Sequence, residues 1–192
     1  EEEMIATNDN DILTRTIETG KYETRGVFHT TSPSMDIQVS SNFERLLFEA
    51  HGRDAAAVRR LMDGLKQSGS FTIADAPLAK IRGEFDAGRS TTADTALVIK
   101  DVLAQSGYLL DPHSAIGLKV AREKVGTGVP SIVLATAHPA KFPDAVEAAS
   151  GVHPALPLWL GDLMQRKEQY TVLPNDLRNV EEYVSRRSRA AR

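Results

Sequence analysis

The chain has 192 residues with 23 basic and 26 acidic side chains, a formal charge of −3 and a hydrophobic fraction of 41%. That composition excludes wholesale disorder, and its near-neutral balance gives no support for a nucleic-acid partner, which a one-sided basic excess would favour. With zero cysteines there is no disulfide framework, thiolate metal site or cysteine nucleophile, and no apolar run reaches the roughly 20 residues of a membrane span, so a reduced, cytoplasmic setting with no membrane partner is expected.

The chain opens on Glu1-Glu2-Glu3, which runs straight into the β-prone stretch Met4–Thr7. A strand with no lead-in suggests a chain cut from something longer. Residues 12–40 show no helical period and hold Gly20, Gly26 and Pro33 among many hydroxyl residues, which reads as loop with short extended pieces. At Ser41–Glu44 a capping-box pattern opens a helix carrying Phe43, Leu46, Leu47 and Ala50, stopped by His51-Gly52. Asp54 caps a second helix, with Val58, Leu61, Met62 and Leu65, ending near Gly69. Phe71–Ala74 is a strand candidate, and Leu78, Ile81 and Phe85 suggest a helix reaching about Gly88. Thr91 to Asp94 is another capping box, opening a helix that closes at Gly107.

Asp111-Pro112 supplies an N-cap and a proline at the first helical position, predicting a helix to about Lys124. A turn follows at 126–130. Ser131–Ala135 is short and continuously apolar, as in buried parallel strands. Helices are expected at about 143–150 and 155–168, a strand at Tyr170–Leu173 and a terminal helix over 176–188. Strands alternating with helices predict an α/β fold.

Generic catalytic motifs are missing: there is no phosphate-binding glycine loop, nucleophile elbow or zinc-protease signature. His29, His51, His113, His138 and His153 lie far apart, without the close pairing usual in zinc sites, so no metal site is expected. Four polar clusters remain. Asn8–Asp11 follows a strand, where ligand loops sit, but turn and cap chemistry explains it more simply. Thr30–Asp36, with Asn42 and Arg45 beyond, combines hydroxyls, a helix-start amide and a guanidinium that could jointly bind phosphate; capping and a solvated charge are the plain alternative. Asp111–Ala115 presents an imidazole and a hydroxyl at a helix N-terminus, where a plain N-cap explains Asp111 equally well. Thr136–Phe142 gathers a threonine, a histidine and a lysine at the C-terminal end of the predicted strand, the place a parallel sheet offers for a site.

Together the stretches Ala6–Leu13, Thr19–Tyr22, Ser32–Ile37 with Ser41–Arg45, Gly107–Ser114 and Thr136–Phe142 resemble the bacterial and fungal branch of the threonine synthases. The resemblance follows the family's order and covers nearly the whole chain, and its most specific stretch is Thr136–Phe142. It implies the α/β fold of the tryptophan-synthase β family (fold type II), with residues 1–40 and 108–192 in the cofactor-binding large domain and 41–107 forming a mostly helical subdomain. It also implies a pyridoxal-phosphate lyase that converts O-phosphohomoserine and water to threonine and phosphate. In that family the cofactor lysine and the glycine-asparagine loop for the cofactor phosphate lie upstream of the matched region. No lysine here fits the cofactor-lysine motif, so the 192 residues alone are expected to be inactive and the missing amino-terminal half is the implied partner. By the same resemblance Thr136 supplies the hydroxyl facing the pyridine nitrogen, and Ser34, Asn42, Arg45 and His113 are candidates for the substrate phosphate and carboxylate. His138 and Lys141 are expected to shape the turn. The competing expectation is a stand-alone, non-catalytic binding domain derived from such a lyase.

Overall fold

The structure, a computed structural model, describes residues 3–124, 126, 128 and 130–191. Chain contacts divide it into two units, Glu1–Ala155 and Leu156–Arg192. The first unit carries four strands and seven helices among its described residues: β1 Glu3–Thr7, α1 Ile12–Thr19, β2 Lys21–Glu23, α2 Phe43–Ala50, α3 Ala55–Ser68, β3 Ser70–Thr72, α4 Asp75–Arg82, β4 Phe85–Arg89, α5 Thr92–Ser106, α6 Pro112–Lys124 and α7 Pro143–Ser150. Strand β1 pairs in parallel with β4, from Glu3 opposite Phe85 to Thr7 opposite Arg89, and β2 pairs antiparallel with β3, Tyr22 facing Phe71.

Most predicted elements form, and for the reasons their sequences suggest. Helix α3 starts where the Asp54 carboxylate accepts from the amides of Ala56 and Ala57, and ends at Gly69 with φ 72°. Helix α5 has both halves of its capping box, Thr91 accepting from the Asp94 amide and Asp94 from the Thr91 amide. Helix α2 forms without the predicted capping box; Asn42 is helical itself and makes no side-chain cap.

Three expectations for the first unit are corrected. Residues 12–19 form α1 rather than loop. The run Ile12-Leu13-Thr14-Arg15-Thr16-Ile17 places Ile12, Thr16 and Ile17 on one buried face, and Thr16 donates its hydroxyl back to the Ile12 carbonyl at 2.6 Å, so a helical face is built partly from threonines. Gly20, at φ 74°, ends it. The helix expected to reach Gly88 stops at Arg82, because Phe85–Arg89 is claimed by β1 as a ladder partner. Ser131–Ala135 forms no strand: among the described residues it has no ladder partner, and Ile132 and Leu134 are 89% and 75% exposed. A strand is a property of a pair, and an apolar run cannot supply its own partner. The predicted turn before it lies partly outside the described residues.

The second unit shows two short 3-10 turns, Leu158–Leu160 and Leu163–Gln165, where a helix over 155–168 was expected, with Leu158 and Trp159 exposed. Tyr170–Leu173 is not a strand. Helix α8, Leu177–Arg187, forms with Asp176 capping the Asn179 amide. No helix among the described residues is long and apolar enough to cross a membrane.

The main core of the first unit centres on three stacked aromatic rings. Tyr22 lies 4.8 Å from Phe71 and 5.6 Å from Phe43, both nearly parallel to it. Around them pack Ile12, Leu47, Ile73 and Ile81, each worth about 1.5–3 kcal/mol on burial. A second cluster joins Val98, Ile99 and Val102 of α5 to Leu110 and Ala115 at the start of α6. Helix α6 lies against β4 so closely that a Cβ on Gly88 would sit 2.7 Å from Val120 Cγ1. These two packings fix the N-terminus of α6, where the chemistry-bearing residues converge. Residues 41–107 contain β3 and β4, whose ladder partners lie in the opening segment.

Candidate active site

Asp111 is 1% exposed and stands at the start of α6. Its carboxylate accepts from the His113 amide at 2.9 Å and more weakly from the Ser114 amide at 3.4 Å, an N-cap in the ordinary sense. It also accepts the Ser114 hydroxyl and lies 3.1 Å from His113 Nδ1. Burial pushes the Asp111 carboxyl up, but the His113 ring, the Ser114 hydroxyl and the two amides outweigh it, and the group is held below the usual carboxylate range.

Each partner extends the network. Ser114, itself buried, accepts from the Thr136 backbone N–H at 3.1 Å, tying the 131–136 segment to α6. His113 packs its ring at 4.6 Å against Phe142. With Nδ1 directed at Asp111, the other ring nitrogen of His113, Nε2, is buried with no partner among the described residues. Buried polar atoms without partners are rare, and one in the same hydrogen-bond network as a pinned, exposed threonine marks a place where a ligand or another chain segment completes the bonding.

The second group of candidates sits on and beyond the loop from 24 to 42. Ser34, Asn42 and Arg45 are exposed. The loop is fastened from beneath by the Asn8–Asp11 cluster. Buried Asn8 reaches Thr30 Oγ1 and Asp36 Oδ1, both at 2.8 Å, and Ser32 Oγ at 2.9 Å. Asn10 donates to the Phe28 carbonyl and accepts from its amide, each at 2.9 Å. Asp36 accepts the Thr30 hydroxyl at 2.6 Å and the Thr30 amide at 2.9 Å. At the far end Tyr22 accepts the Ser40 amide at 2.8 Å. Asp9 binds the Thr92 amide and hydroxyl at the start of α5, and Asp11 pairs with Arg15 and Arg89.

The comparisons with known proteins agree with one another. A family model described as threonine synthase, C-terminal, matches residues 114–184. The threonine synthase of Pseudomonas aeruginosa is 48% identical over 184 residues, which cover 95% of this chain and 39% of that protein. The crystal structure of a pyridoxal-phosphate-bound threonine synthase from Brucella melitensis is 71% identical, with a TM-score of 0.88 over 98% of this chain and 41% of that one. The yeast threonine synthase structure is 32% identical, with a TM-score of 0.80 over 96% of this chain and 42% of that one.

The chain belongs to the threonine synthase family.

It matches the carboxy-terminal portion of its relatives and spans about two fifths of the length of the curated ones it matches first. Its fold is the type II fold of the threonine synthases, in a mixed α/β and mostly helical form. Within this threonine synthase segment the structure brings His113 and Thr136 together through Asp111 and Ser114, while Ser34 is exposed on the loop that the Asn8 and Asn10 hub fastens and Asn42 and Arg45 are exposed at the start of α2. His138 accepts from the Ala140 amide at 3.2 Å, capping the turn Pro139–Lys141, and Lys141 lies 5.7 Å from the Phe142 ring centroid. Both shape the turn.

Sequence reasoning missed three structural participants. Asp111 was legible as an N-cap and Ser114 as a hydroxyl at a helix start, but nothing in the sequence shows that residue 136 returns to them. Asp36 was seen as one of a hydroxyl-rich run, not as the acceptor that gathers it. Among the described residues no cluster of three or more metal-ligating side chains occurs.

Proposed function

We propose that this chain is the carboxy-terminal part of a cytoplasmic threonine synthase, which converts O-phospho-L-homoserine and water to L-threonine and phosphate with pyridoxal phosphate. Its activity then depends on the remainder of the enzyme, which supplies the cofactor lysine and covers exposed apolar surface such as Ile132 and Leu134. The observation that carries this reading is the pinned Thr136, joined through Ser114 and Asp111 to the His113 whose Nε2 is unpartnered among the described residues, in a chain 71% identical to a threonine synthase solved with that cofactor.

The residues fit the cofactor. Thr136 is exposed, and among the described residues its hydroxyl has no partner, so it is available to a ring nitrogen. The nearest acid in the network, Asp111, is buried behind Ser114 and bonded to it, so Thr136 presents a neutral group rather than a carboxylate. Bound there, pyridoxal phosphate supplies the electron sink for proton removal from substrate carbon and for loss of the γ-phosphate. A neutral Thr136 hydroxyl leaves the ring nitrogen largely unprotonated, which steers the chemistry away from transamination.

The remaining roles concern substrate. Arg45 offers a bidentate fork to a phosphate or carboxylate, and the Asn42 side chain, which makes no cap hydrogen bond, is available to the same anion. Ser34 adds a hydroxyl from the loop. His113 accepts a hydrogen bond from a substrate donor at Nε2 and, when doubly protonated, donates to an anionic oxygen. The 41–107 segment is then a largely helical subdomain presenting Asn42 and Arg45, against a large domain presenting Thr136 and His113.

The test is the substitution Thr136→Asp in the full-length enzyme. A carboxylate would hold a proton on the ring nitrogen, so the absorption spectrum of the bound cofactor should shift and the share of transamination side product should rise. An unchanged spectrum and product ratio would overturn the assignment.

A further inference from the structure

We infer that Ser114 and Asp111 are positioning residues that hold the Thr136 hydroxyl at its working height, an inference that rests on the reading of Thr136 given above. Residue 136 is tied to the start of α6 by the bond from the Thr136 N–H to Ser114 Oγ, 3.1 Å long. Ser114 is 2% exposed, so no water competes for that oxygen. Its hydroxyl proton is directed at the Asp111 carboxylate, which turns its lone pairs toward Thr136. One hydroxyl therefore acts in both directions, and the carboxylate decides which way it faces.

The far end of this relay is rigid. Asp111 is held by two amides in the first turn of α6 and by the His113 ring. Helix α6 is in turn locked by Ala115, Ile116 and Val120, all essentially unexposed. Removing the Ser114 hydroxyl would leave Asp111 its amides, and so leave the helix start capped, while releasing residue 136. A capping role alone therefore predicts a loss of stability, whereas a positioning role predicts a change at the cofactor.

The experiment uses full-length enzyme with Ser114→Ala, Ser114→Cys and Ser114→Thr, beside Thr136→Val as reference. The readouts are the absorption spectrum of the bound cofactor at rest and the ratio of side product to threonine. Thr136→Val should shift the spectrum. Ser114→Ala should shift it in the same direction and change the side-product ratio, in the sense that Thr136→Val changes it, by about three- to tenfold, the range an ordinary hydrogen bond commands. Ser114→Thr, which keeps the hydroxyl, should restore both. If Ser114→Ala is insoluble, Ser114→Cys, close in volume but a weak donor and acceptor, is read by the same criteria. A shift in Thr136→Val with none in the Ser114 variants overturns the positioning role and leaves the Thr136 reading standing. No shift in Thr136→Val overturns that reading and this inference with it. A shift in Ser114→Ala that Ser114→Thr fails to restore shows a general packing effect and overturns the inference.

Discussion

Gly88→Ala is the substitution whose cost can be worked most directly from the structure. The added Cβ would lie 2.7 Å from Val120 Cγ1, 3.3 Å from Cγ2 and 3.5 Å from Cβ. Carbon atoms are comfortable at about 3.5–4.0 Å, so relief requires a shift of about 1 Å. Val120 is fully buried on α6 and cannot swing into solvent. The strand cannot retreat easily, because the Gly88 carbonyl accepts the Thr14 hydroxyl at 3.0 Å and the Thr7 hydroxyl at 3.3 Å. The expected loss is about 1–3 kcal/mol, the usual range for overpacking. Val120→Ala alone should cost about 2 kcal/mol through two lost methyl groups. Combined, the two should cost less than their sum by about 0.5–3 kcal/mol, since each relieves the other. Equilibrium urea unfolding of the four proteins in the full-length background reads this cycle. Additive losses, or a neutral Gly88→Ala, would refute the claim that α6 rests on the strand through this glycine.

Arg45→Ala in the full-length enzyme should raise the Michaelis constant for O-phosphohomoserine by about one to several orders of magnitude. Because Arg45 is exposed, stability should stay within about 0.5 kcal/mol, and unchanged kinetics would make it a solvated helix charge. Asp111, whose carboxyl is held low in the folded protein, contributes stability that is present above the unfolded value near pH 3.9 and is lost as pH falls through the lower native value. Asp111→Asn should therefore be about 1.5–3 kcal/mol less stable than the parent at pH 7, with the gap closing below about pH 4; a gap independent of pH would contradict the assigned shift.

What the sequence disclosed and what it hid divide along physical lines. Helices α3 and α5 were legible because their signals are local: a cap, an apolar period and a terminal glycine, all within a few residues. Helix α1 was hidden because its buried face uses Thr14 and Thr16, which read as loop residues until their hydroxyls find carbonyl partners. Strand β4 was hidden because Phe85 continues the spacing of Leu78 and Ile81, and only β1 decides against a longer helix. The same dependence on a distant partner made Ser131–Ala135 look like a strand. At the site, the residue types around 111–114 and 136 were visible, but the hydrogen bond joining them spans 22 residues and leaves no local trace.

The parallel pairing of β1 with β4 also bears on how the chain folds. Glu3 meets Phe85 only after about eighty intervening residues have been gathered in, a closure costing roughly 4 kcal/mol of chain entropy. By contrast α3 and α5 need only near neighbours. Such long-range pairing slows folding more than it weakens the folded state. The hub at Asn8 and Asn10 sits directly after β1, so the loop bearing Ser34 should acquire its order late, once that distant strand has docked.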